Sequence, residues 1–231
     1  MSMKKKFHNT VKNFGEEWER FENLNEDKIK LKKIFNAYFR LLPKKFINKK
    51  NICIDIGSGS GRWAGFLHQK MKKIYLLEPS VKALTVSKKR FKNSKKAIFI
   101  NQEIKNLDVR DNYFDFAYSL GVLHHINYPK EAFKIVYKKL KKNSPFLVYL
   151  YHDFEENSSL YKILWKISDI LRSFISKRSF LVKSLICEMI ALVIYYPLAK
   201  ISLILKKLSI STKNFPLNYY YDKSFYVMRN D

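Results

Sequence analysis

A short apolar run that ends in an acid and then breaks into alternating glycines constrains this chain more than any other feature. It reads Asn51-Ile52-Cys53-Ile54-Asp55-Ile56-Gly57-Ser58-Gly59-Ser60-Gly61. An apolar run of that length is expected as a buried parallel strand. The glycines should turn the chain sharply into a helix near Arg62, because the backbone there must reach positive φ and lie close to a ligand. Amides at a helix N-terminus favour polar or anionic groups. The expectation is a nucleotide-type ligand beside the first strand.

The dinucleotide fingerprint G-x-G-x-x-G is only half met. Gly57 and Gly59 fit, Arg62 stands at the third position, and Gly61 falls one residue early. That speaks against a nicotinamide-dependent oxidoreductase. The segments downstream agree with a different nucleotide-type cofactor. Lys73-Ile74-Tyr75-Leu76-Leu77-Glu78-Pro79 is a second apolar run ending in an acid. Glu78 stands roughly 20 residues past the loop, where a ribose-binding acid belongs. A carboxylate can accept from both ribose hydroxyls. Ala97-Ile98-Phe99-Ile100 reads as a third strand, followed by Gln102-Glu103. Residues 111–119 lead into Leu120-Gly121-Val122-Leu123-His124-His125, and Pro145-Phe146-Leu147-Val148-Tyr149-Leu150-Tyr151 reads as a fifth strand. Helices are expected near 61–70, 80–92 and 129–142. Such alternation gives a parallel sheet with right-handed crossovers and ligands at the strands' C-terminal ends. Asp55, Glu78, Glu103 and Ser119 all fall at those ends.

Taken in order over about residues 45–155, these motifs resemble the class I S-adenosylmethionine-dependent methyltransferases. The 111–125 segment is similar to that of the many members acting on small molecules and lipids, quinone-biosynthesis enzymes among them. The resemblance implies a Rossmann-like, doubly wound α/β fold with a mainly parallel sheet and helices on both faces. It implies S-adenosyl-L-methionine as cofactor. Gly57, Gly59 and Gly61, with Ser58, would make room for the methionine part, and Asp55 would organise its ammonium. Glu78, with Pro79 beside it, would bind the ribose and Glu103 the adenine side. Ser119 and Leu120 would line the cofactor. His124 and His125 lie near the expected methyl position, and an unperturbed histidine suits a general base. Tyr151 and His152 are further candidates for substrate contact. The acceptor is expected to be a small molecule or lipid-like. Nucleic-acid amino-methylating enzymes often carry an acidic-or-Asn, Pro, Pro, aromatic tetrad where this chain has Ser119-Leu120-Gly121-Val122. A non-catalytic cofactor-binding protein is a further alternative.

Composition bounds the rest. The 231 residues carry 45 basic and 20 acidic side chains, a net charge of +25. Such an excess suits nucleic acid or an anionic membrane surface. The lysines are nonetheless spread over most expected elements, as a Lys- and Asn-rich composition bias also gives. Two distant cysteines, Cys53 and Cys187, form no disulfide framework and no zinc spacing, which fits a reducing cytoplasm. The N-terminus has no secretory signal pattern.

The domain reading is three-part. Residues 1–48 form a helical lid or cap, with Phe14, Trp18 and Phe21 at helical spacing. Residues 49–155 form the cofactor-binding core. Residues 156–231 form a helical cap and an aromatic segment able to hold one strand. The usual final edge hairpin finds no two clear strands here, so a missing C-terminal part is expected. Within residues 158–209 the apolar run Met189–Ala199, bounded by Glu188 and Lys200 and interrupted by Pro197, is shorter than the ~20 residues a bilayer span needs. A buried helix pair capping the sheet is expected there, with a substrate lid or peripheral membrane contact as alternatives.

Overall fold

The computed structural model describes residues 11, 15–16, 28–151, 166, 168–170, 172–175, 178–212, 215–223 and 225–230. The chain divides into two compact units, Met1–His152 and Asp153–Asp231.

The first unit is built on five parallel strands, β1 (Ile52–Ile56), β2 (Lys73–Leu77), β3 (Ala97–Ile100), β4 (Phe116–Leu120) and β5 (Phe146–Tyr149). Their order is β3-β2-β1-β4-β5, and every pairing is parallel. The chain winds outward from β1 through β2 to β3, then returns to β4 on the other side of β1. The C-terminal ends of β1 and β4 are therefore the switch point, where such sheets open a crevice for ligands.

Alternation along β1 sends successive side chains to opposite faces. Cys53 joins Leu76, Phe116 and Tyr118 against Phe35 and Phe39 of α1 (Lys28–Phe39), Leu67 of α2 (Ala64–Leu67), and Phe91. Ile54 and Ile56 join Leu77 and Ala117 against Ala132 and Val136 of α4 (Pro129–Lys139). Burial of each large side chain here contributes roughly 1.5–3 kcal/mol. Helix α3 (Val81–Arg90) starts at Ser80, whose hydroxyl accepts from the Ala83 N–H. This is an N-cap, supplying one of the partners a helix start lacks. Asp115 fastens the opposite end of the sheet. Its Oδ2 accepts from the Ile52 N–H at 2.8 Å, and its Oδ1 meets Lys141 Nζ at 2.7 Å.

The strands and three of the helices fall where the sequence puts them. The helical segment expected up to residue 48 stops sooner: α1 ends at Phe39, and residues 44–46 form a single 3-10 turn. Pro43 supplies no N–H and pushes its predecessor out of the helical region, which stops the helix. Half of the expected lid, including Phe14, Trp18 and Phe21, lies outside the described residues. Among the described residues no strand follows β5.

The second unit departs further from expectation. Helix α5 (Phe180–Ile190) runs through a π turn (Ala191–Tyr195) directly into α6 (Tyr196–Lys207). Pro197 does not break the helix. It would clash with the carbonyl four residues back, and one widened turn, with the Tyr196 N–H bonded to the Ala191 carbonyl, absorbs the misfit. Val182–Lys207 is thus 26 helical residues, long and apolar enough to cross a membrane by length and composition, which corrects the shorter reading. The buried helix pair is corrected as well. Leu185, Met189, Val193 and Ile204 are all more than half exposed. The aromatic tail is helical rather than extended: α7 (Phe225–Asn230) places Phe225 and Met228, three apart, beside Ala191 and Ala199.

Candidate functional site

The turn after β1 is held from every side. Gly57, Gly59 and Gly61 have φ of +72°, +52° and +69°, a region that L side chains reach only with strain. A Cβ on Gly57 would run into the Val122 side chain, which closes the turn after β4. A Cβ on Gly61 would lie 2.6 Å from Ser87 Oγ and 2.7 Å from Phe91, so the turn seats directly on α3. The Arg90 Nε–H donates to the Ser60 carbonyl at 3.0 Å and ties the end of that helix to the same turn.

Four of the turn's five amides are spent inside the protein. The Gly57 and Ser58 N–H groups both donate to the Leu77 carbonyl, and the Gly61 N–H donates to the Ser58 carbonyl. The Gly59 N–H donates to Glu78 Oε2 at 2.9 Å. The following helix, α2, has only four residues. This corrects the expectation of a helix N-terminus ready for an anion. The turn suits a ligand that carries no phosphate where a dinucleotide would carry two.

Glu78 ends β2 facing that turn. Its Oε1 accepts from the Ser80 N–H at 2.9 Å, and the side chain is buried. Burial raises its carboxyl above the ordinary range, and the two backbone N–H groups oppose that shift. The bonds fix the carboxylate at the strand end and leave acceptor capacity, since two oxygens offer about four lone-pair sites. Asn101 braces the same corner, donating to the carbonyls of Glu78 (2.9 Å) and Pro79 (3.0 Å).

Asp55 is 3 % exposed and accepts the Tyr118 hydroxyl at 2.8 Å. Burial pushes its carboxyl up to about 8, the Tyr118 hydrogen bond pulls against that, and the Glu78 charge adds to it. Asp55 is therefore largely protonated at neutral pH, and a cation brought beside it would shift it towards the charged form. The Ser119 hydroxyl donates to the Ile56 carbonyl at 3.0 Å and is fully buried, so it joins the ends of β1 and β4. Leu120 is partly buried against the core. Glu103 follows β3, where Tyr128 donates to its Oε2 at 2.9 Å and Lys105 pairs with the same oxygen at 2.9 Å.

Past β4 lies an aromatic cluster. The His124 ring sits 4.0 Å from His125 and 4.3 Å from Tyr151, centroid to centroid, and Tyr151 follows the end of β5. Burial lowers the proton affinity of both histidines, and for His125 the His124 charge adds to the effect. Both ring nitrogens of His124 are buried with no hydrogen-bond partner among the described residues. His152 lies outside those residues.

The sequence reading missed Tyr118, Asn101, Tyr128 and Val122. Tyr118 is the cross-strand partner of Asp55 in the β1–β4 register. No local pattern announces a register between strands 63 residues apart.

A family model described as a methyltransferase domain matches residues 54–148, which span β1 to β5 and every site residue above except Tyr151. The chain carries a class I S-adenosylmethionine-dependent methyltransferase domain. It is 34% identical over 142 residues to the uncharacterized protein MJ0638 of Methanocaldococcus jannaschii, covering 60% of this chain and 59% of that protein. It is 25% identical over 104 residues to the malonyl-[acyl-carrier protein] O-methyltransferase of a Marinomonas species, covering 44% and 38%. The chain thus spans less than two thirds of the length of these curated relatives. In fold it is similar to the Haemonchus contortus phosphoethanolamine N-methyltransferase 1, solved with phosphoethanolamine and S-adenosylhomocysteine. The TM-score is 0.51 at 13% identity, over 63% of this chain and 32% of that one.

The family's cofactor is S-adenosylmethionine, and the methyltransferase domain fits it on its own geometry. Ser58 Oγ is buried at the turn with no hydrogen-bond partner among the described residues, and the oriented Glu78 carboxylate keeps acceptor capacity beside the same turn.

Proposed function

We propose that this chain transfers a methyl group from S-adenosylmethionine to a small-molecule or lipid-like acceptor. One observation carries the reading: Glu78 is fixed by the Gly59 and Ser80 N–H groups at the switch point, beside a glycine turn with four of its five amides committed internally. That arrangement recognises a ribose without a phosphate cradle.

The cofactor, when bound, supplies a methyl already activated by a cationic sulfur. The chain's own residues then have to bind, align and exclude water. Glu78 accepts from ribose hydroxyls. Asp55, buried and easily charged by a neighbouring cation, balances the ammonium. Glu103, held by Tyr128 and Lys105, lines the adenine side, and the Gly57–Gly61 turn and Leu120 shape the floor.

The acceptor belongs beside His124, His125 and Tyr151. The lowered proton affinity of the two histidines keeps them neutral at physiological pH, so either can take a proton from a hydroxyl or acid acceptor. His124's two buried, unpartnered nitrogens call for a polar ligand, because leaving such groups unsatisfied costs about 1–3 kcal/mol each. The Marinomonas relative, by its name a methyltransferase that acts on a carrier-bound malonyl group, supports an oxygen acceptor. The test is transfer of labelled methyl from S-adenosylmethionine to a panel of acids, phenols and amines. Turnover on one class, lost in His124→Ala or His125→Ala with cofactor affinity unchanged, supports the reading. Cofactor binding without turnover on any class sinks it.

A further inference from the structure

The second unit carries a surface that methyl transfer does not explain. Along the continuous helix Val182–Lys207, Leu185, Met189, Val193, Ile201, Ile204 and Leu208 recur every three, four or eight residues, and each is between 44% and 64% exposed. The π turn keeps them in line. It inserts about one extra residue per turn, so the four-residue steps on either side of Pro197 stay on one face. The strip runs about 35 Å at 1.5 Å per residue, and a contiguous apolar surface of that extent marks an interaction site.

The opposite face is already taken by the same unit. Ala191, Ala199 and Met228 are buried together, Ser202 donates to Asn218 at 2.8 Å, and Arg229 donates to Ser184 at 2.7 Å. Among the described residues the strip stays exposed, and the charge around it says which partner fits. Residues 178–230 hold eight basic and two acidic side chains. Lys183, Lys206 and Lys207 stand near the helix ends, and Lys200 lies over the Tyr196 ring at 5.2 Å, where a long stem can reach a headgroup layer. An apolar face with such flanks suits the surface of an anionic bilayer.

We infer that the helix Val182–Lys207 lies in the plane of an anionic phospholipid bilayer, with its Leu185–Leu208 strip inserted among the acyl chains. A spanning helix would instead bury Glu188, Lys200 and the Ser202–Asn218 hydrogen bond in hydrocarbon, where charged groups are rarely found. The inference is independent of the cofactor site.

The test is co-sedimentation of the full chain with vesicles of phosphatidylcholine alone or mixed with phosphatidylglycerol. The mixed vesicles should bind it, high salt should weaken binding, and Met189→Glu/Val193→Glu/Ile201→Glu should reduce partitioning at least about tenfold. Those side chains are exposed, and unchanged circular dichroism verifies the fold. A second variant, Lys183→Gln/Lys200→Gln/Lys206→Gln/Lys207→Gln, should lose the preference for phosphatidylglycerol. Three results would overturn the inference. One is no binding to mixed vesicles, or equal binding by the glutamate variant. Another is release from the bilayer only by detergent. The third is a lipid-free dimer that the glutamate variant dissociates, since a second copy would then cover the strip.

Discussion

Tyr118 on β4 donates its hydroxyl to Asp55 Oδ2 on β1 at 2.8 Å, with both side chains buried in the centre of the sheet. The pair stands beneath the switch point, so the acid proposed to balance the cofactor's ammonium also belongs to the core.

Tyr118→Phe leaves the Asp55 carboxyl without its donor. Urea unfolding at pH 7 should show a loss of about 1–3 kcal/mol.

The same pair sets a pH dependence. Asp55's folded pKa of about 8 lies above its unfolded value, so the folded state holds the proton more tightly. Its contribution to stability is present in full below about pH 4 and is lost as pH rises through about 8. Asn keeps an acceptor for Tyr118 and cannot ionise. Relative to the native chain, Asp55→Asn should therefore gain stability between pH 4 and 8, as followed by thermal unfolding at each pH. A constant difference across that window would contradict the assignment.

Gly57 combines a φ of +72° with contact on Val122. Gly57→Ala should cost about 1–2 kcal/mol for the left-handed backbone alone, and more for the clash. Val122→Ala in the same chain should recover the clash and not the backbone cost. Urea midpoints of the single and double variants separate the two.

If a histidine takes the acceptor's proton, the acid limb of kcat/KM against pH should fall below the ordinary histidine value of about 6.5, because burial lowers both rings. His125→Ala should lower kcat about 10²-fold or more with cofactor affinity unchanged. A limb above pH 7 would point to another group.

Much of the site was legible because its signals are local. Three glycines at alternate positions, an acid ending each of two apolar runs, and the 116–120 strand before Gly121 all sit within a few residues of the strand ends that form the candidate site. What was not legible depends on tertiary register or on adaptation. Tyr118 meets Asp55 only because β4 pairs with β1. The Ser119 hydroxyl, which the sequence offers to a cofactor, is drawn to the Ile56 carbonyl by the same pairing. Three of the turn's amides looked available until the end of β2 supplied the Leu77 carbonyl and Glu78 as their acceptors. Pro197 looked like a helix end, and a single π turn carries the helix past it.

Glu78 and the glycine turn are proposed to hold S-adenosylmethionine. Calorimetric titration of the full chain with S-adenosylhomocysteine, beside NAD, tests it most directly. Binding of the former alone is expected, weakened by about 1.5–3 kcal/mol in Glu78→Ala, the range of a hydrogen bond to a charged group. Unchanged affinity in a folded Glu78→Ala chain, or binding of NAD instead, would contradict it.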